Sequence, residues 1–145
     1  MSKSMILIRS LLKKIATFFG VGLCPIAPGT MGTLAAIPLA MLTLYLGPFI
    51  HMIACILLLP ISILAAQIYE RDKNDGHDPS EVVIDEVMGF LITMTWQPWT
   101  WQSYALGLLV FRFLDITKPF PINYLDKKVP GGVGIVMDDV AAGII

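Results

Sequence analysis

Charged side chains interrupt the apolar stretches of this sequence in three short groups. The groups are Asp85-Glu86, then Arg112 with Asp115 and Lys118, then Asp138-Asp139. An ionisable residue inside an apolar helix is costly, so it usually has a partner or a function. Carboxylate oxygens suit a hard ion such as Mg²⁺, and a guanidinium group pairs with phosphate oxygens. The residue types therefore indicate metal-assisted chemistry on a phosphate group.

The positive groups and one loop are candidates for holding that phosphate. Arg112 can grip two phosphate oxygens, and Lys118 adds a point charge. Backbone N–H groups around Thr30, where an apolar run begins, could cradle an anion at a helix N-terminus. Structural alternatives stay open for every group: a helix start, an ion pair, a polar interruption of a loop, or a plain turn.

Spacing limits what the members of each group can share. Arg112, Asp115 and Lys118 follow one another at intervals of three, so they share a helix face if the helix extends that far. Adjacent residues point about 100° apart on a helix. We therefore expect only one residue of Asp85-Glu86, and one of Asp138-Asp139, to face a common centre.

Composition indicates that membrane helices position these groups. Of the 145 residues, 56% are apolar and 14% are charged, and the mean hydropathy is +0.75. Soluble domains carry about 25% charged residues. The net charge of −1 and the lack of a basic patch with interleaved aromatics argue against a nucleic-acid partner.

Hydropathy patterning predicts an all-α, polytopic membrane helical bundle. About four spans are expected, with a short C-terminal helix from residue 135 and a single membrane domain over 1–145. The spans fall at 31–49, 49–69, 82–96 and 103–114. The loops fall at 70–81, which should be exposed to water, at 97–102 and at 117–134. Residues 28–145 would form the catalytic bundle. Residues 1–19 would form either an interfacial amphipathic helix or a poorly ordered tail.

Charge distribution predicts the topology. All ten Lys and Arg lie in the N-terminal segment, in 70–81 or in 112–128. Positive residues stay cytoplasmic, and two crossings separate each block from the next. All three charged groups should therefore meet at the cytoplasmic face of a multi-pass protein in a bacterial inner membrane. No removable signal peptide is expected.

Cysteine and histidine offer no phosphatase nucleophile. Cys24 and Cys55 are expected to be free thiols, and no Cys-x5-Arg loop occurs. His51 should lie at the far side of the membrane, and His77 in the polar loop.

Four segments resemble the bacterial phosphatidylglycerophosphatase A family, in family order. They are PGTMGTLAAIP (28–38), DPSEVVIDEVMG (78–89), FRFLDITKPFP (111–121) and GGVGIVMDDVAAG (131–143). The resemblance implies an inner-membrane enzyme that uses Mg²⁺ to hydrolyse phosphatidylglycerophosphate, a phospholipid in the bilayer, to phosphatidylglycerol and phosphate. Family members usually continue through another span after the acidic pair, whereas six residues follow Asp139 here. Either the last helix is shortened, or the sequence is truncated at this end.

The resemblance carries the expected site onto matching residues. The catalytic residues would be Asp85, Glu86, Asp115, Asp138 and Asp139, with Asp85, Glu86, Asp138 and Asp139 as the metal ligands. A metal-polarised water would attack phosphorus, with a covalent aspartyl-phosphate as the alternative. An ion- or proton-coupled transporter is the rival function, disfavoured because the carboxylates lie at one face and no internal repeat occurs. A membrane scaffold gives no reason for clustered carboxylates, and the signature of CDP-alcohol phosphotransferases does not occur. The oligomeric state is not predicted.

Overall fold

The computed structural model describes residues 3–73 and 79–145, and the regular elements in these ranges are all helical. The α-helices are α1 (Lys3–Ala16), α2 (Pro28–Tyr45), α3 (Pro48–Lys73), α4 (Ile84–Met94), α5 (Trp101–Thr117), α6 (Ile122–Lys128) and α7 (Gly131–Ile144). A 3₁₀ turn at Val21–Leu23 lies between α1 and α2. The all-α prediction is confirmed.

Helices α4 and α7 form the centre of the bundle. Eight of the 11 residues of α4 and eight of the 14 residues of α7 are buried. A helix buried on all sides belongs to a core rather than a surface. A Cβ on Gly143 would meet the carbonyl oxygen of Gly89, so glycines let the two backbones approach closely.

Helices α2, α3 and α5 surround this centre and turn apolar side chains outward. Leu42, Leu57 and Leu109, one on each helix, are 56%, 61% and 66% exposed. Among the described helices, only α3 is both long and apolar enough to cross a membrane by itself. By that measure, one of the four predicted spans is confirmed.

The N-terminal segment forms a helix rather than a disordered tail. Arg9 and Lys13 on α1 both pair with Asp72 near the end of α3. The same contact explains why α3 continues through Lys73, so the predicted loop 70–81 is wrong for residues 70–73. His77 lies outside the described residues.

Helix α6 lies inside the predicted loop 117–134, and that prediction is wrong there. Its seven residues carry no long periodic pattern, and its first residue, Ile122, is fully buried. Tertiary packing therefore holds this short helix, since isolated helices of that length are not stable.

His51 on α3 links α2 and α4 at the end of the bundle where α2 and α3 join, which is the far end from the start of α4. Its Nε2 donates to the carbonyl oxygen of Leu91 on α4 at 2.9 Å, and its Nδ1 lies 2.7 Å from the hydroxyl oxygen of Thr43 on α2. The turn at Gly47 and Pro48, between α2 and α3, lies where the sequence predicts it.

Candidate active site

Three carboxylates from two helices converge at one end of the core, where α4 begins. Asp85 and Glu86 stand in the first turn of α4, and Asp139 lies within α7. One carboxylate oxygen from each lies within 4.8 Å of the other two. Asp85 and Asp139 are buried, and Glu86 is partly buried. We call these residues the carboxylate group.

The carboxylate group fits a hard divalent cation. Glu86 Oε2 and Asp139 Oδ2 are buried, and no donor in the described ranges bonds to them. The negative charges of Asp115, Glu86 and Asp138 also act on Asp139. A buried charge without a partner of opposite charge is strongly destabilising, so a cation between these carboxylates would stabilise them. Octahedral Mg²⁺ holds its oxygen ligands at about 2.0–2.1 Å, which puts those oxygens about 3–4 Å from each other. The three carboxylate oxygens, all within 4.8 Å of one another, would therefore need to move only slightly to bind the ion.

Arg112 on α5 adjoins the carboxylate group. Its guanidinium pairs with Asp115, three residues further along the same helix, and its Nη1 lies 3.7 Å from Glu86 Oε1. The Arg112 Nε is buried and lacks an acceptor among the described residues. The ion pair with Asp115 is therefore real, but it is part of the site and not separate from it.

The start of α2 also reaches the carboxylate group, through Gly29. A Cβ on Gly29 would collide with Glu86 Oε1 and would lie 3.0 and 3.1 Å from Arg112 Nη1 and Nη2. The first intrahelical bond of α2 runs from the Met31 N–H to the Ala27 carbonyl oxygen at 3.1 Å. The N–H groups of Gly29 and Thr30 precede it, so they are donors that a helix start leaves unused. Gly29 therefore lies beside Arg112, and Thr30 follows it in the first turn of the same helix.

Asp138 turns away from the carboxylate group and toward Lys118. The Lys118 Nζ lies 2.6 Å from Asp138 Oδ2 and 2.5 Å from Asp126 Oδ1. Burial acts to lower the pKa of Lys118, but its hydrogen bonds to Asp126 and Asp138 raise that pKa above its ordinary value. The ammonium is therefore charged at neutral pH.

The expectation that one residue of each acidic pair faces the centre holds for Asp138-Asp139 only. Asp85 and Glu86 both join the carboxylate group. Gly29 of α2 and Arg112 of α5 lie beside Glu86, and Asp139 of α7 lies close to both acidic residues of α4. Asp126 was not predicted as a site residue. No local pattern marks it, since its proximity to Lys118 depends on the position of α6.

Comparison with known proteins places this chain in a family. The family model described as Phosphatidylglycerophosphatase A matches residues 14–145, which include all three charged groups. The chain belongs to the phosphatidylglycerophosphatase A family. It is 43% identical to phosphatidylglycerophosphatase A of Escherichia coli (strain K12) over 133 residues, which cover 90% of this chain and 76% of that protein.

Other relatives carry related names. Phosphatidylglycerophosphatase A of Haemophilus influenzae is 39% identical over 132 residues, covering 90% of this chain and 80% of that protein. A relative from Bacteroides thetaiotaomicron, provisionally named a phosphatidylinositol-3-phosphatase, is 36% identical over 137 residues, covering 90% of this chain and 85% of that protein. No solved structure matches this chain significantly. The family resemblance drawn from the four sequence segments is confirmed.

Proposed function

We propose that this chain hydrolyses the terminal phosphate monoester of phosphatidylglycerophosphate, with Mg²⁺, to phosphatidylglycerol and inorganic phosphate in phospholipid biosynthesis. Family membership supports the lipid headgroup. The observation that carries the proposal is the buried carboxylate group beside Arg112 and the start of α2.

The charge count favours a metal at this site. Among the described residues, six carboxylates including Asp126 lie here against two cations, and each cation contacts two of them. Asp85, Glu86 and Asp139 would hold the ion, and Asp138 becomes a further candidate ligand if Lys118 releases it. When bound, Mg²⁺ supplies charge neutralisation at the phosphate oxygens and polarises a water molecule.

The chain's own residues supply binding and proton transfer. Arg112 neutralises the non-bridging phosphate oxygens, and the N–H groups of Gly29 and Thr30 donate to the same anion. Asp115, oriented by Arg112, accepts the proton of the attacking water. Lys118 supplies a second positive charge, after that of Arg112, which stabilises the phosphate anion as it is released. On the alternative aspartyl-phosphate route, acid quenching of a reaction with radiolabelled substrate would trap phosphate on the protein.

The outer surface supports a multi-pass position in the bacterial inner membrane, with the site at the cytoplasmic face. Large exposed apolar faces mark membrane contact in a chain of this composition. Helix α1 presents Leu7 and Ile8, which are 72% and 56% exposed, beside basic residues. Such a helix suits the interface of an anionic leaflet.

Phosphate release by the purified protein tests the proposal. We expect release from phosphatidylglycerophosphate that stops with a chelator and returns with Mg²⁺. Asp85→Asn should abolish it in a folded protein, whereas Glu70→Gln, a matched change outside the carboxylate group, should not. Full activity of the Asp85 variant, or release that ignores the chelator, contradicts the proposed site.

Two other functions are distinguished in the same preparation. The name of the Bacteroides thetaiotaomicron relative makes phosphatidylinositol-3-phosphate the second substrate to assay. Preferential phosphate release from phosphatidylinositol-3-phosphate would indicate the same hydrolysis on a different lipid headgroup. Cation flux in proteoliposomes without phosphate release from either lipid would instead indicate a transporter.

A further inference from the structure

Lys118 joins two helices whose carboxylates differ greatly in exposure. Its Nζ lies 2.6 Å from Asp138 Oδ2 on α7 and 2.5 Å from Asp126 Oδ1 on α6. The side chain of Asp138 is 5% exposed, whereas that of Asp126 is 28% exposed. The ammonium group therefore has one partner buried in the site and a second partner that water reaches.

The sequence of α6 explains how Asp126 reaches Lys118. Ile122, the first residue of α6, is fully buried, and α6 packs against α7. Asp126 follows Ile122 by four residues, so the two share a helix face, and the burial of Ile122 turns Asp126 toward α7. Lys127 and Lys128, which follow on the same short helix, are exposed. Among the described residues, Lys118 is the one cation that contacts Asp126.

Lys118 is suited to hold two partners and to exchange one of them. It follows the last turn of α5, where its own N–H donates to the carbonyl oxygen of Leu114 at 2.8 Å, so its backbone is held in place. Its side chain is flexible and ends in three N–H donors. Asp126 and Asp138 take two of these donors. Within the described ranges, the third donor is left for a phosphate oxygen.

Asp138 lies next to the carboxylate group through Asp139. Its Oδ1 accepts the N–H of Asp139 at 3.0 Å, and its Oδ2 faces Lys118. To give an oxygen to a divalent ion, Asp138 has to release Lys118. A half-buried ammonium group with no carboxylate beside it is destabilised, so the release would be costly if Asp138 were its sole partner. Asp126 lowers that cost, because it keeps Lys118 paired.

A role in fastening α6 explains Asp126 less well. Ion pairs between side chains that water reaches contribute little to stability, and the buried Ile122 already holds this helix. Asp72 on α3 offers a matched comparison. Its side chain is 22% exposed and pairs with Arg9 and Lys13 of α1 rather than with a cation of the site.

We propose that Asp126 is a positioning residue of the active site, which keeps Lys118 paired when Asp138 turns to the divalent ion of the carboxylate group. The inference rests on the proposed function and deepens it, because it adds a residue that contacts neither the ion nor the phosphate. Lys118 then has two states: in one it bridges α6 and α7, and in the other α6 alone holds it. Asp126 determines how readily the second state is reached.

Binding of Mn²⁺, followed by electron paramagnetic resonance in detergent, tests the proposal without measuring activity. Asp126→Asn should weaken Mn²⁺ binding by about two- to fivefold, which is the coupling expected between residues of one network. In an Asp138→Asn background, the same change should alter the affinity by less than about 1.5-fold, since Asp126 acts through Asp138. Asp126→Glu keeps the carboxylate and should restore the affinity. Asp72→Asn should leave Mn²⁺ binding unchanged.

A second background makes the test independent of whether Asp126→Asn folds by itself. The double variant Lys118→Met with Asp126→Asn lacks both members of the ion pair, so it leaves neither charge unpartnered. Without the ammonium group, Asp126 has nothing to hold. The double variant should therefore bind Mn²⁺ as tightly as Lys118→Met alone, and a difference between them would overturn the proposal.

The other outcomes separate positioning from simpler roles. Equal weakening by Asp126→Asn in the wild-type and Asp138→Asn backgrounds would be a charge effect at a distance and would overturn the proposal. Unchanged Mn²⁺ affinity with a lowered melting temperature would show that Asp126 only fastens α6. A wild-type protein that neither binds Mn²⁺ nor releases phosphate overturns the proposed function. A wild-type protein that does both, with an equal Asp126→Asn variant, overturns the positioning role alone.

Discussion

Gly29→Ala is the smallest change that reaches the centre of the site. The added methyl group would collide with Glu86 Oε1 and approach Arg112 Nη1 and Nη2 to 3.0 and 3.1 Å. Both neighbours are the ends of flexible side chains, so they can move away. Helix α2 itself accepts alanine, which favours a helix interior over glycine by up to about 1 kcal/mol. The variant should therefore fold but carry a displaced Glu86 and Arg112.

The expected loss follows from the contacts that are displaced. A hydrogen bond to a charged group contributes about 1.5–3 kcal/mol. Losing one such contact in the transition state lowers kcat/KM by about 10- to 150-fold. Phosphate release is the assay, and the melting temperature in detergent, which should not fall, is the folding control.

Gly107→Ala supplies the matched comparison. Its Cβ would meet only a flexible thioether, Met94 Sδ at 2.9 Å, at the nearest point. Its activity should therefore remain close to that of the wild type. If Gly29→Ala keeps full kcat/KM while folded, then the start of α2, Glu86 and Arg112 do not form one site.

Other substitutions separate the metal group from its surroundings. Asp139→Asn should weaken Mn²⁺ binding, followed by electron paramagnetic resonance as a substitute for Mg²⁺, by at least about tenfold. Asp138→Asn should weaken Mn²⁺ binding far less while still lowering kcat/KM, because Asp138 faces Lys118; equal losses of affinity would refute that division. His51→Ala removes two buried polar contacts at the far end and should cost about 2 kcal/mol, or about 6 °C in melting temperature, without changing Mn²⁺ affinity. An unchanged melting temperature would show that His51 does not fasten these helices.

The helices could be predicted from sequence where one signal acts over many residues. The apolar runs of α2 and α3 and the break at Gly47 determine the first hairpin, because uncharged length and a glycine-proline turn are local properties. Helix α6 and the last turn of α3 could not be predicted in this way. Ile122 is held by burial, and Asp72 by cations on α1, so both elements depend on partners distant in sequence.

The site shows the same division between local and distant information. Residue type and cost of burial were enough to select the carboxylates and Arg112. The direction of each side chain was not available, since Asp138 and Asp139 are adjacent and differ only in what packs beside them. Lys118 determines the outcome for Asp138, and its position depends in turn on Asp126 in the helix that sequence patterns missed.

The two cations of the site contact two different pairs of carboxylates and do not neutralise the whole set. Arg112 and Lys118 each contact two carboxylates, and neither forms an ion pair with Asp139 among the described residues. The Asp139 N–H nevertheless donates to Asp138 Oδ1 at 3.0 Å, so a shift of Asp138 changes the surroundings of Asp139. A phosphate that draws Lys118 away from Asp138 would therefore alter the carboxylate group as well. Because such coupling is reciprocal, metal binding should strengthen phosphate binding by the same factor as phosphate strengthens metal binding.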